Sequence, residues 1–217
     1  MISELNKKLT EKLRRDLIEM EHRVAGLTSP YQPIQKALSL YKEYDLETYK
    51  REVESDLLRA IPYWKTMQLQ DATTYDAILF EYSDQELPPF ESFSFGLYNM
   101  RNYKLTIDPH YYEYAEFGEW NVGYGVSLDP FAVCAPFHVE AVEVEDVYDK
   151  MHYEDENSGV KELNLWADAA VKKILNEVFA AADAQGLFDD LQLRKGGAFM
   201  YNVHDVGSVQ DPFYLKQ

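Results

Sequence analysis

In the stretch Thr74-Tyr75-Asp76-Ala77-Ile78-Leu79-Phe80-Glu81-Tyr82 the chain changes character. Before it, apolar residues recur every three or four positions. From residue 74 they alternate, with Ile78, Phe80 and Tyr82 on one face of a strand. Helices first and strands afterwards is the order of an α+β fold rather than of repeated β-α-β units.

Upstream, Ile2, Leu5, Leu9, Leu13, Leu17, Met20 and Val24 define one helix, with Ser3 as its expected N-cap and Gly26 as its stop. Thr28-Ser29-Pro30 reads as a second helix start with proline in the first helical position, and Ile34, Ala37, Leu38 and Tyr41 carry its stripe. Asp45 breaks and re-caps that run. Leu46, Tyr49, Val53, Leu57 and Ala60 then continue it until Pro62, where it is expected to end. The long apolar face of the first helix suits a cover for one face of the sheet better than an association surface.

Downstream, Phe93, Phe95 and Leu97 line a second strand and Tyr103, Leu105 and Ile107 a third, with a turn near Asn99 to Asn102 between them. Trp120 to Leu128 alternates large and small residues, and Phe131 to Val139 alternates again, with Pro136 marking an edge or bulge. The short connections predict an antiparallel meander. Val144, Val147, Tyr148 and Met151 suggest a short helix, and Glu154 to Gly159 an acidic loop. Leu163, Ala167, Ala170, Val171, Ile174 and Val178 define a long helix ending at Gly186, where Leu187 suits a Schellman stop. Gly197 to His204 forms a last strand with Phe199, Tyr201 and Val203 inward. The expected fold is α+β: an antiparallel sheet of about five or six strands, with N-terminal helices and a long C-terminal helix packed on it. It divides into a helical segment over 1–70 and an acidic α+β domain over 71–217.

With 46% hydrophobic residues in 217, the chain carries enough apolar material to offset the entropy of ordering. Its 21 Lys+Arg against 38 Asp+Glu leave a net charge of -17, unevenly spread. Residues 1–70 hold 12 basic and 11 acidic residues, a net of +1, whereas residues 71–217 hold 9 and 27, a net of -18. Such a field repels phosphate, which argues against nucleic acid and against an anionic membrane surface, and it attracts cations, a basic protein among them. The single cysteine, Cys134, allows neither an intramolecular disulfide nor a cysteine-based zinc site. Met1-Ile2-Ser3-Glu4 lacks the basic start of a secretory signal, and Trp120 to Val139, the least charged long stretch, carries Asp129, Pro130 and Pro136 and is no membrane span. A soluble, cytoplasmic protein, monomeric or homodimeric, is expected.

Motifs for catalysis are thin. Gly123-Tyr124-Gly125 lacks the third glycine of a dinucleotide fingerprint, and no Walker sequence or Gly-x-Ser-x-Gly elbow occurs. No cofactor is implied. The histidines form no His-Glu-x-x-His pair, but His138 and Glu140 alternate onto one strand face while Asp108 and His110 flank a turn. Meeting at one sheet end, these four could hold a divalent metal for hydrolysis, the alternative reading of function.

The aromatic content points elsewhere. Tyr111, Tyr112, Tyr114, Phe117, Trp120 and Tyr124 crowd among Glu113, Glu116 and Glu119, and the segment before Trp120 reads as a loop. Tyrosine and tryptophan dominate interface hot spots, and carboxylates between them steer a basic partner. The expectation is a non-catalytic, acidic protein-binding module. Its sharpest form is an immunity or inhibitor protein that neutralises a basic toxin such as a nuclease. Tyr111, Tyr112, Glu113, Tyr114, Glu116, Glu119 and Trp120 would form the interface.

Overall fold

The computed structural model describes residues 1–43, 45–67, 74–82, 92–97, 103–105, 107–114, 155, 157–203 and 212–217. The fold is α+β, with helices packed on a small sheet. Three helices come first: α1 (Ile2–Ala25), α2 (Gln32–Glu43) and α3 (Leu46–Met67). The strands β1 (Tyr75–Tyr82), β2 (Ser92–Leu97), β3 (Tyr103–Leu105) and β4 (Asp108–Tyr114) follow, then α4 (Val160–Ala184), β5 (Leu193–Val203) and β6 (Tyr214–Leu215). The strands expected over 120–139, with Cys134, and the short helix over 144–151 lie outside the described residues.

Local chemistry accounts for most of the helix ends. Asp45 starts α3 as expected: its carboxylate accepts from the Glu47 N–H at 3.1 Å and from Thr48 Oγ1 at 2.6 Å. α4 closes in a Schellman motif, in which the Leu187 N–H donates to Ala182 O at 3.1 Å and the Gly186 N–H to Asp183 O at 2.8 Å. Gly186 takes the left-handed φ of 74° that this motif needs. Three expected ends are corrected. α1 is capped at Met1 rather than Ser3, which lies within the first turn. α2 begins at Gln32, so Pro30 stands before the helix, where the Ser29 hydroxyl bridges the Tyr31 N–H and Ser158 O. α3 runs through Pro62 to Met67, because Trp64, beyond the proline, is buried in the core. An interior proline costs a helix about 3 kcal/mol, and this burial offsets it.

Among the described residues, the main sheet has four strands in the order β2-β1-β5-β6. It is mixed, which corrects the antiparallel meander: β1 pairs antiparallel with β2 but parallel with β5, with Ile78 opposite Phe199 and Phe80 opposite Tyr201. β1 is covered on both faces. Ile78 and Phe80 face α3 and α4, while Ala77 and Leu79 pack with Leu5 and Leu9 of α1. Burial on both sides is the usual setting of a parallel pairing and explains the unbroken apolar run Ala77–Phe80. The third strand does not continue the sheet either; β3 pairs with β4 in a separate antiparallel ribbon.

Phe179 of α4 is the hub of the larger core. Its ring centre lies 4.8 Å from Phe199, 4.9 Å from Phe213, 5.5 Å from Phe188 and 5.8 Å from Phe80. A second cluster gathers Leu17, Val24, Ile34, Leu163 and Trp166 between α1, α2 and the start of α4, where Tyr41 stands edge-on to Trp166 at 4.4 Å. α1 therefore packs on the sheet through Leu5 and Leu9 and on α2 and the start of α4 through Leu17 and Val24.

Candidate protein-binding ribbon

The tyrosine and glutamate residues singled out above divide between two regions. Tyr111, Tyr112, Glu113 and Tyr114 lie on β4, a strand where a loop was expected. Tyr114 stands opposite Tyr103, Tyr112 opposite Lys104, and Asp108 opposite Leu105. The register shifts between each of these pairs, so β4 carries more residues than β3 over the same ladder, as a bulged strand does. Such irregularity is why Tyr111–Tyr114 shows no clean two-residue period. Glu116, Glu119 and Trp120 lie outside the described residues. Of the candidate metal ligands, Asp108 and His110 both fall within β4 instead of flanking a turn, and His138 and Glu140 lie outside the described residues. Among the described residues, no group of three or more His, Cys, Asp and Glu side chains gathers to hold a metal ion.

Ile107, between β3 and β4, is half-buried against the cluster that Leu5 and Leu9 of α1 form with the sheet. This contact ties the ribbon to α1. A groove of about 550 Å³ opens beside it, lined by Ile107 and by Lys8, Glu11, Lys12, Arg15, Asp16 and Glu19 of α1. Lys12 and Asp16 pair across one turn at 2.7 Å. With three basic and three acidic side chains the lining is balanced, in contrast to the net of -18 over residues 71–217.

Sequence reasoning passed over this groove. The steps from 8 to 11, 12, 15 and 19 are those of one helix face, but charged positions on a helix ordinarily mark only its solvated side. The placement of Ile107 beside them comes from the ribbon's fold.

No family model matches the chain, and no curated protein or solved structure is significantly similar to it. Among the described residues, no helix is long and apolar enough to cross a membrane.

Proposed function

We propose that the protein is a non-catalytic binding module for a basic protein, in its sharpest form an immunity or inhibitor protein that covers a basic toxin. The observation that carries this reading is the position of Tyr111-Tyr112-Glu113-Tyr114 on a ribbon separate from the main sheet. That ribbon sits within the part of the chain whose net charge is -18. Tyrosines bury a large area at modest entropic cost and form cation–π contacts with Lys and Arg. The surrounding carboxylates raise the rate of encounter with a basic surface.

The test is retention of basic proteins on the immobilised chain at low and high salt, with Tyr112→Ala and Trp120→Ala alongside. One basic protein is expected to bind, more slowly as salt rises. Each substitution is expected to weaken it by more than about 1 kcal/mol. Binding that ignores salt and both substitutions would overturn the reading.

A further inference from the structure

The segment Pro212–Gln217 is gripped along both edges of its backbone. On one edge it pairs with β5: the Phe213 N–H donates to Phe199 O and the Lys216 N–H to Gly197 O, both at 2.9 Å. On the other edge, two side-chain amides stand where a neighbouring strand would. Asn6 Nδ2 donates to Leu215 O at 2.7 Å, and the Leu215 N–H donates back to Asn6 Oδ1 at 2.9 Å. Asn176 Nδ2 donates to Phe213 O at 2.6 Å. Both asparagines are almost wholly buried, at 6% and 2% exposure. Thr10 Oγ1 donates to Asn176 Oδ1 at 2.8 Å, which turns the amide nitrogen toward Phe213.

Side chains of the segment are received as well. Asp183 Oδ2 accepts from Tyr214 Oη at 2.8 Å, and Lys216 Nζ donates to Leu193 O at 3.0 Å and Leu191 O at 3.3 Å. Phe213 and Leu215 fill apolar pockets at no more than 1% exposure.

An edge strand ordinarily leaves its outer N–H and C=O groups to solvent. Here two buried amides are committed to them and would be unsatisfied without them. Backbone hydrogen bonds for affinity and pockets for alternating side chains are how a sheet edge receives an extended peptide. We infer that the edge of β5, with Asn6 and Asn176, is a peptide-docking site, occupied in cis by the chain's own Pro212–Gln217. Its ligand class is an extended segment running aromatic, aromatic, aliphatic, basic. Asn6 belongs to α1 and Asn176 to α4, so the docked segment also couples those two helices.

The test uses the full chain with Phe213→Ala and Leu215→Ala, which empties the two apolar pockets and keeps every receptor group. A labelled peptide with the sequence of residues 212–217 is followed by fluorescence anisotropy. It is expected to bind the double variant at least ~10-fold more tightly than the unaltered chain, whose site is filled. Adding Asn6→Ala is expected to weaken that binding by at least ~10-fold. A folded double variant that binds the peptide no better than a scrambled one, or binding untouched by Asn6→Ala, would overturn the inference. If the double variant does not fold, refolding it with the peptide should restore the circular dichroism of the unaltered chain, and failure to do so overturns the inference equally.

Discussion

Lys50 of α3 donates through Nζ to Glu177 Oε2 of α4 at 3.0 Å, and Lys173 holds the other oxygen of that carboxylate at 3.0 Å. One carboxylate thus joins two helices on the same side of the sheet. Burial pushes Glu177 up, but hydrogen bonds from Lys50 and Lys173 outweigh it and keep the carboxyl below its ordinary 4.5. The same bond to Glu177 raises Lys50 above its ordinary 10.5, against the opposing effect of burial.

These shifts set a pH window. A carboxyl depressed in the folded state adds stability above its unfolded-state pKa, lost as pH falls through the folded value; a raised lysine adds stability below its unfolded pKa, lost as pH rises through the folded value. The pair therefore stabilises the fold between the ordinary values of 4.5 and 10.5. Glu177→Gln should cost about 0.5–1 kcal/mol near neutral pH, the range of a partly exposed pair. Urea unfolding well below the ordinary 4.5 should show a smaller difference between variant and parent than at neutral pH, because the stabilisation is lost as the pH falls through the depressed folded-state value. An equal loss at both pH values would mean that packing, and not charge, accounts for the effect.

Asn6→Ala should be among the most damaging polar substitutions in the molecule. It strands the N–H and C=O of Leu215 in a buried setting, and each such group costs about 1–3 kcal/mol. Thr10→Val, which removes the hydroxyl shared between Asn176 Oδ1 and Asn6 O and leaves both asparagine amides bonded to the C-terminal segment, should cost about 1 kcal/mol. Denaturant midpoints of the two variants, compared at unchanged slope, check the ranking.

Gly159 and Gly186 both take positive φ, at 95° and 74°, yet they should not respond alike to alanine. At Gly159 an added Cβ would lie 2.9 Å from Leu27 Cδ2 and 3.2 Å from Ile34 Cγ2, inside a packed cluster. At Gly186 it would meet Asp189 Oδ2, the end of a side chain that can turn away. Gly186→Ala should cost about 1–2 kcal/mol for the left-handed backbone alone, and Gly159→Ala about 1–3 kcal/mol more for overpacking. Thermal unfolding of the two variants in parallel would show whether the order holds.

Phe179→Ala should cost about 3–5 kcal/mol, since it removes the ring that four other phenylalanines share. Phe179→Leu, which keeps most of the volume, should recover more than half of that loss. Chemical denaturation gives both numbers.

Pro62 is exposed and sits inside α3. Pro62→Ala restores a helical N–H while giving the unfolded chain more freedom, so the expected gain is about 1–2 kcal/mol, less than the full helix penalty. A variant that melts below the parent would show that the proline is accommodated at no cost.

The features legible from residue order alone are local. The apolar steps of α1 and α4, the Asp45 cap and the Gly186 stop depend on residues within a turn or two of each other, and the structure places these elements where the pattern puts them. The types of residue in the ribbon were equally legible, as tyrosines among glutamates in an acidic stretch. Distant pairings decided the remainder. β1 lies parallel to β5, more than a hundred residues away, and only the two-sided burial that results explains why Ala77–Phe80 is continuously apolar. α3 passes Pro62 because Trp64 has a core to enter. Tyr111–Tyr114 is a strand because β3 lies beside it, across a ladder whose bulges erase the two-residue period. β6 has two residues and no period at all; it is a strand because it pairs with β5, and Asn6, 209 positions away, meets both backbone groups of Leu215. Periodicity records which face of an element is buried, whereas the partner that buries it is a property of the folded chain.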